Sequence, residues 1–183
     1  MNQSKEDMLH EDFVSSTTVF EGKFLKIDVD KVVLPNGREA TRELVHHPGA
    51  VAVLPVMEDG TIVFVKQYRY PLDTVLYEIP AGKLEPDEDP FLCAARELSE
   101  ETGYSAAKLV KLTTIATTPG FTDEIIHIFL AEGLTKHEQH TDEDEFIEVA
   151  LISQEEARRM VLEGTVFDAK TLSALYMYFL QKQ

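Results

Sequence analysis

Cysteine occurs once, at position 93, basic side chains number 17 against 33 acidic ones, and no apolar run approaches the length of a membrane-spanning helix. Each scarcity removes a class of protein. A single cysteine makes no intrachain disulfide and no thiolate cluster for a metal, so Cys93, set among helix-forming residues, reads as a reduced core thiol. Crossing a bilayer takes about 20 consecutive apolar residues, and nothing here comes close. The stretch from Met1 to Asp12 is polar and acidic and lacks the apolar core of a secretory signal, which points to a cytoplasmic protein. The shortage of lysine and arginine leaves a net charge of −16, a field that repels polyphosphate backbones unless cations intervene. Neither nucleic acid nor membrane is expected as a partner, and most of the acidic surplus reads as a solvated surface.

What is present is enough for one well-buried core with a small appended element: 183 residues, 44% of them hydrophobic. Between Thr17 and His46 the pattern is one of short strands, interrupted by the turn signal Pro35-Asn36-Gly37. A break at His47-Pro48-Gly49 separates this amino-terminal β element, residues 1–48, from a main domain over 49–183. Val51 to Val56 and Ile62 to Val65 flank Glu58-Asp59-Gly60 and predict a β-hairpin. A short strand is expected at Leu76 to Ile79, and others at Ile125 to Ala131 and Phe146 to Ile152. Asp89 as N-cap, Pro90 in the first turn and Gly103 as stop predict a helix between them. Ser153 with Glu156 forms a capping box for a second helix ending before Gly164, and a last helix is expected over Ala169 to Leu180. Strands covered by helices give the α/β class, a layered sandwich with an amino-terminal antiparallel β element.

At 100° per residue, Glu97, Glu100 and Glu101 fall within an arc of roughly 100°, beside the apolar arc of Phe91, Ala94, Ala95 and Leu98. Like charges at these spacings repel by about a few tenths of a kcal/mol per pair, so the helix carries a conflict that a cation between the carboxylates would remove. A solvated acidic face offset by Arg96 and Lys108 is the plainer alternative. Before the helix, Ala81-Gly82 starts a turn-rich loop in which glycine lets backbone approach a ligand and a carbonyl join the carboxylates. An all-oxygen set of this kind suits hard cations, Mg²⁺ or Mn²⁺, which bridge to substrate phosphates. Glu88, eight positions before Arg96, is the candidate partner that would fix loop against helix.

Gly82, Glu88, Arg96-Glu97-Leu98, Glu100-Glu101 and Gly103-Tyr104 fill every fixed position of the Nudix box: Gly, five residues, Glu, seven residues, Arg-Glu-apolar-any-Glu-Glu-any-Gly-apolar. Tyr104 stands where an aliphatic residue is usual and supplies the same apolar contact. The chain resembles the Nudix hydrolase family and, from about Thr17 to Phe179, its ADP-ribose pyrophosphatase branch. The segments that carry this are Gln67-Tyr68-Arg69-Tyr70-Pro71, Glu78-Ile79-Pro80-Ala81-Gly82, Thr118 to Glu124 with Pro119 the characteristic proline, and Glu143-Asp144-Glu145.

That resemblance implies a Nudix-type α/β/α sandwich with a mixed sheet, and hydrolysis of the diphosphate bond of ADP-ribose to AMP and ribose 5-phosphate. It implies metal ligation by the Ala81 carbonyl, Glu97, Glu100, Glu101 and Glu145, with Glu143 as the base; Glu143 and Glu145 are open to exchange. Gly82, Glu88, Arg96 and Gly103 take structural roles. Arg69, whose guanidinium presents a bidentate fork, is the candidate for a substrate phosphate, with a surface ion pair as the alternative. Family analogy makes the protein a homodimer in which the amino-terminal element covers the partner's site, with Phe24, Arg42 and Glu43 on the adenine and Gly120 and Glu124 near the terminal ribose. The ligand is then a small nucleoside diphosphate sugar. A hydrolase of another sugar nucleotide such as GDP-mannose, or a non-catalytic ADP-ribose-binding regulator, remains as an alternative.

Overall fold

A computed structural model of the chain describes residues 8–141 and 145–182. It divides into two compact units, one running to Pro48 and taking in Ala116–Glu124, the other comprising Gly49–Ile115 and the chain from Ile125 onward.

The first unit is a three-stranded antiparallel sheet in the order β1 (Asp12–Glu21), β2 (Lys26–Val33), β3 (Glu39–His46). Gly37, at φ +80°, supplies the left-handed position that the turn between β2 and β3 requires. β1 is exposed along its whole length, with Phe13, Val14, Val19 and Phe20 among its open side chains. The segment Ala116–Glu124 docks on β3 through Val45 N–H to the Phe121 carbonyl and Asp123 N–H to the Val45 carbonyl.

The second unit holds a four-stranded sheet in the order β7 (Ala81–Lys83), β4 (Ala50–Pro55), β9 (Ile125–Lys136), β8 (Tyr104–Ala116), with β4 antiparallel to β7 and parallel to β9. A three-stranded sheet follows the order β10 (Ile147–Ile152), β5 (Ile62–Arg69), β6 (Thr74–Glu78). Every residue of β4 is buried, and the strand's alternation explains why. Ala50, Ala52 and Leu54 face a core shared with α2 (Gln154–Leu162) and α3 (Ala169–Leu180), through Ala157, Met160, Ala174, Leu175 and Tyr178. Val51 and Val53 face the opposite core, with Cys93, Ala94 and Leu98 of α1 (Pro90–Thr102). Helices therefore cover both faces of a mixed sheet, the expected α/β/α sandwich.

The helix boundaries follow the capping residues. Asp89 accepts from the Phe91 and Leu92 N–H groups, Gly103 ends α1 at φ +64°, Ser153 accepts from Glu156 N–H, and Asp168 accepts from Thr171 N–H. The predicted hairpin is not one. β4 and β5 meet at a single bridge, Val56 to Ile62, and then enter different sheets. A strand with both faces buried needs partners on both edges from distant chain, and the turn at Asp59-Gly60 hands the chain over to the second sheet.

Candidate active site

α1 and β7 build the centre of the site. Glu97 and Glu101 both point from α1 toward β7 and are almost wholly buried, at 9% and 3% exposure. Ala81 N–H donates to Glu101 Oε2 at 3.0 Å. At the next residue, a Cβ on Gly82 would run into the carboxylate of Glu97. Gly82 is therefore required for space and not for a special backbone angle. Glu100, one turn along the rim, is more open.

Arg96 organises this face. Its Nε and Nη2 donate to the two oxygens of Glu88, each at 3.0 Å, which clips the loop after β7 to α1. Its Nη1 donates to Glu97 Oε1 at 2.7 Å and to Glu100 Oε2 at 3.0 Å, so one guanidinium spans three carboxylates. The fork on Glu88 holds that carboxyl at a pKa of about 2. Burial pushes the neighbouring Cys93 thiol up to about 12, which leaves it unreactive.

Glu97 and Glu101 behave in the opposite way. Burial raises the pKa of both. For Glu101 the value reaches about 8, with Glu97 and Glu145 adding to the rise and the Ala81 N–H opposing it. Two carboxylates held out of water, with a third acidic side chain in electrostatic reach, form a site whose charge Arg96 and Arg69 only partly offset. Among the described residues no three His, Cys, Asp or Glu side chains converge as a ready-made metal cage. The carboxylate oxygens of Glu97 and Glu101 that do gather beside β7 are of the type that hard cations take. Glu143 lies outside the described residues. Beside Glu145 an open groove of about 730 Å³ is lined by Lys66, Tyr68, Tyr77, Gln139 and Phe146.

Arg69, at the end of β5, is committed to a partner that sequence reading missed. Its Nε and Nη2 donate to Glu78 Oε1 and Oε2 at 2.8 and 2.6 Å, and Lys170 of α3 donates to the same Oε2. Thr171 Oγ1 accepts from Ile79 N–H, tying α3 to the strand that leads to Ala81. One sequence signal for this cluster existed: Lys170 is the only charged residue in α3.

The remaining candidates lie in the first unit. Phe24 is about half exposed and edge-on to His47, 6.4 Å between ring centroids, and His47 Nδ1 lies 3.5 Å from Glu124 Oε1. Glu124 also accepts from Thr117 Oγ1 at 2.6 Å. Arg42 is engaged by Glu11 through Nε and Nη2, while Glu43 on the same strand is exposed. Gly120 sits in an open turn where a Cβ would meet nothing.

Residues 46–175 match the family described as NUDIX domain, and residues 11–45 the nucleoside diphosphate sugar hydrolase N-terminal domain. The chain is 50% identical over 169 residues to the ADP-ribose pyrophosphatase of Bacillus subtilis (strain 168), covering 91% of each. It is 45% identical over 177 residues to the methanol dehydrogenase activator of Bacillus methanolicus, covering 96% of each. A crystal structure of an ADP compounds hydrolase shares the fold at a TM-score of 0.84, over 94% of this chain and 95% of that one, with 20% identity.

Proposed function

Since the chain belongs to the Nudix family and is a hydrolase, we propose that it cleaves the diphosphate bond of ADP-ribose. Water adds across the P–O–P bridge: its oxygen joins one phosphorus, the bridging oxygen leaves with the other phosphate, and AMP and ribose 5-phosphate result. The observation that carries the reading is the buried pair Glu97 and Glu101 beneath Gly82, in a chain half identical to an ADP-ribose pyrophosphatase along 91% of both.

The cofactor of this reading is Mg²⁺ or Mn²⁺, which the Ala81 carbonyl, Glu97 and Glu101 would hold with Glu100 and Glu145 assisting. The residues suit it, because burial penalises the very charges a cation would stabilise. When bound, the ion neutralises the diphosphate and lowers the pKa of a water. The chain's own side chains do the rest. Arg69 holds a substrate phosphate, Arg96 keeps Glu97 and Glu100 in place through Glu88, and Glu143 takes the water proton, with Glu145 as its alternate.

The amino-terminal element, residues 1–48, is proposed to mediate a homodimer and to cover the partner's site in a cytoplasmic enzyme, with Phe24, Arg42 and Glu43 on the adenine and Gly120 and Glu124 near the terminal ribose. The exposed apolar side chains of β1 support a pairing role for that strand. Light scattering of the full chain and of a chain lacking residues 1–48 tests it; a fully active truncated monomer would rule it out. The substrate is tested with a Mg²⁺-dependent panel. ADP-ribose turnover no faster than that of GDP-mannose would move the assignment to another sugar nucleotide.

A second reading, a regulator acting through ADP-ribose binding, is favoured by the 45% identity to a methanol dehydrogenase activator. Adding the wild-type chain or its Glu101→Gln variant to that dehydrogenase separates the two. Activation that survives the substitution means binding alone suffices.

A further inference from the structure

α3 is uncharged except for Lys170, whose side chain is only 12% exposed. The ammonium reaches back 92 residues to Glu78, and its second partner is Asp168 Oδ1 at 3.0 Å. Glu78, at 1% exposure, is thus held by two cations, Lys170 at Oε2 and the Arg69 fork across both oxygens. Among the described residues Nη1 of Arg69 makes no hydrogen bond, and the Arg69 side chain is 38% exposed. Arg69 is also within electrostatic reach of Glu101.

A guanidinium clamped to a carboxylate is a neutral pair, and a neutral pair attracts an anion weakly. Lys170 changes the sum: Arg69, Glu78 and Lys170 together carry one positive charge. Asp168, paired to Lys170 and within electrostatic reach of Arg69, brings the formal sum of the four groups to zero, and loss of Lys170 would leave it net negative; Asp168 Oδ1 also accepts from Thr171 N–H at the start of α3, where helix polarity offsets part of its charge. We propose that Lys170 is a positioning residue that sets the phosphate affinity of Arg69, neutralising Glu78 so that Glu78 orients the guanidinium without discharging it toward a diphosphate. This rests on the diphosphate-cleaving reading above. The simpler role, a lysine that only stabilises a buried glutamate, leaves phosphate affinity untouched in any variant that folds.

The test measures KM and kcat for ADP-ribose and, by calorimetry with Mg²⁺ present, the Kd of inorganic diphosphate. The chains are wild type, Lys170→Met, Lys170→Arg and the double variant Glu78→Gln, Lys170→Met. Lys170→Met is expected to raise KM and Kd about tenfold with kcat nearly unchanged, and Lys170→Arg to stay near wild type. The double variant removes the carboxylate along with its neutraliser, so affinity returns toward wild type. Unchanged affinity in Lys170→Met overturns the proposal, as does a double variant no better than the single one. Should Lys170→Met not fold, Lys170→Gln, whose amide N–H still donates to Glu78 but carries no charge, decides instead: a Kd about tenfold weaker supports the role and an unchanged one overturns it. A wild type that turns over neither ADP-ribose nor any other sugar nucleotide sinks the functional reading only; its diphosphate affinity still judges Lys170, and no measurable affinity overturns the role too.

Discussion

Glu78 and Glu101 are buried to nearly the same extent, 1% and 3% exposed, in the same unit, and their acidities move in opposite directions. At Glu78 burial works to raise the pKa, but the hydrogen bonds of Arg69 and the charge of Lys170 outweigh it and hold the carboxyl below its ordinary value. At Glu101 burial wins and the value reaches about 8, because the neighbours are Glu97 and Glu145 and the closest donor is one backbone N–H. Burial alone therefore says little about a carboxylate's task. What distinguishes the two is whether the chain supplies the counter-charge, as α3 does for Glu78, or leaves it to come from outside, as α1 does for Glu101.

The most severe way to test that contrast is Glu101→Gln. If the charge awaits a cation, its loss lowers kcat by on the order of 10³-fold and weakens Mg²⁺ binding. Thermal stability without metal should be unchanged or higher at neutral pH, since a penalised charge has gone while the amide oxygen still accepts from Ala81 N–H. Near-normal turnover would remove Glu101 from the proposed metal site.

Glu78→Gln should do the reverse. Arg69 and Lys170 lose their shared carboxylate, and stability measured by denaturant unfolding falls by about 2–4 kcal/mol, the lower part of that range reflecting the partial exposure of Arg69. A loss below about 0.5 kcal/mol would mean that the cluster is solvated and the comparison with Glu101 fails.

Gly82→Ala sharpens the comparison by geometry instead of charge. The added Cβ displaces the Glu97 carboxylate without touching Glu78, so activity should fall by roughly 10–100-fold while unfolding shifts little. A variant that keeps wild-type kcat would show that the position of Glu97 is not critical.

The part of this arrangement that is local in sequence was legible before any fold. Asp89, Pro90 and Gly103 delimit α1, and the spacing from Gly82 to Tyr104 places Glu97 and Glu101 on one face and Arg96 within reach of Glu88. What was illegible is long-range. Lys170 and Glu78 meet across 92 residues, and nothing in the pattern of either segment names the other. The occupied fork of Arg42 depends on Glu11, 31 residues away. The 13 residues of β8 escaped because most of them are exposed or half-buried, so the apolar alternation that marks a strand is faint. The hairpin expectation failed because turn chemistry at Asp59-Gly60 reports a reversal of the chain but not which sheet the next strand joins.

A buried carboxylate of the first unit, Asp28, has a counter-charge that titrates. Lys26 Nζ lies 2.7 Å from its Oδ2 and His46 Nε2 3.2 Å, while the other ring nitrogen of His46 contacts Asp123 Oδ2 at 2.7 Å. A neutral imidazole has one N–H and serves one carboxylate; serving both requires the imidazolium. The hydrogen bond to Asp123, with the charges of Asp123 and Asp28, accordingly raises the His46 pKa above its ordinary 6.5, against burial and the nearby Lys26. The sign follows: His46 contributes stability in full below about 6.5, and that contribution is lost as pH rises through its higher folded value. Burial opposes the shift of Asp123, but the His46 hydrogen bond and the His47 N–H lower its pKa below the ordinary 3.8, so its share is present above that value and lost as pH falls through the lowered one. An NMR titration should place the His46 midpoint above 6.5, and Asp123→Asn should bring it down toward that value. A midpoint at or below 6.5 in the wild type, or one indifferent to Asp123→Asn, would show that Lys26 alone supplies the counter-charge of Asp28.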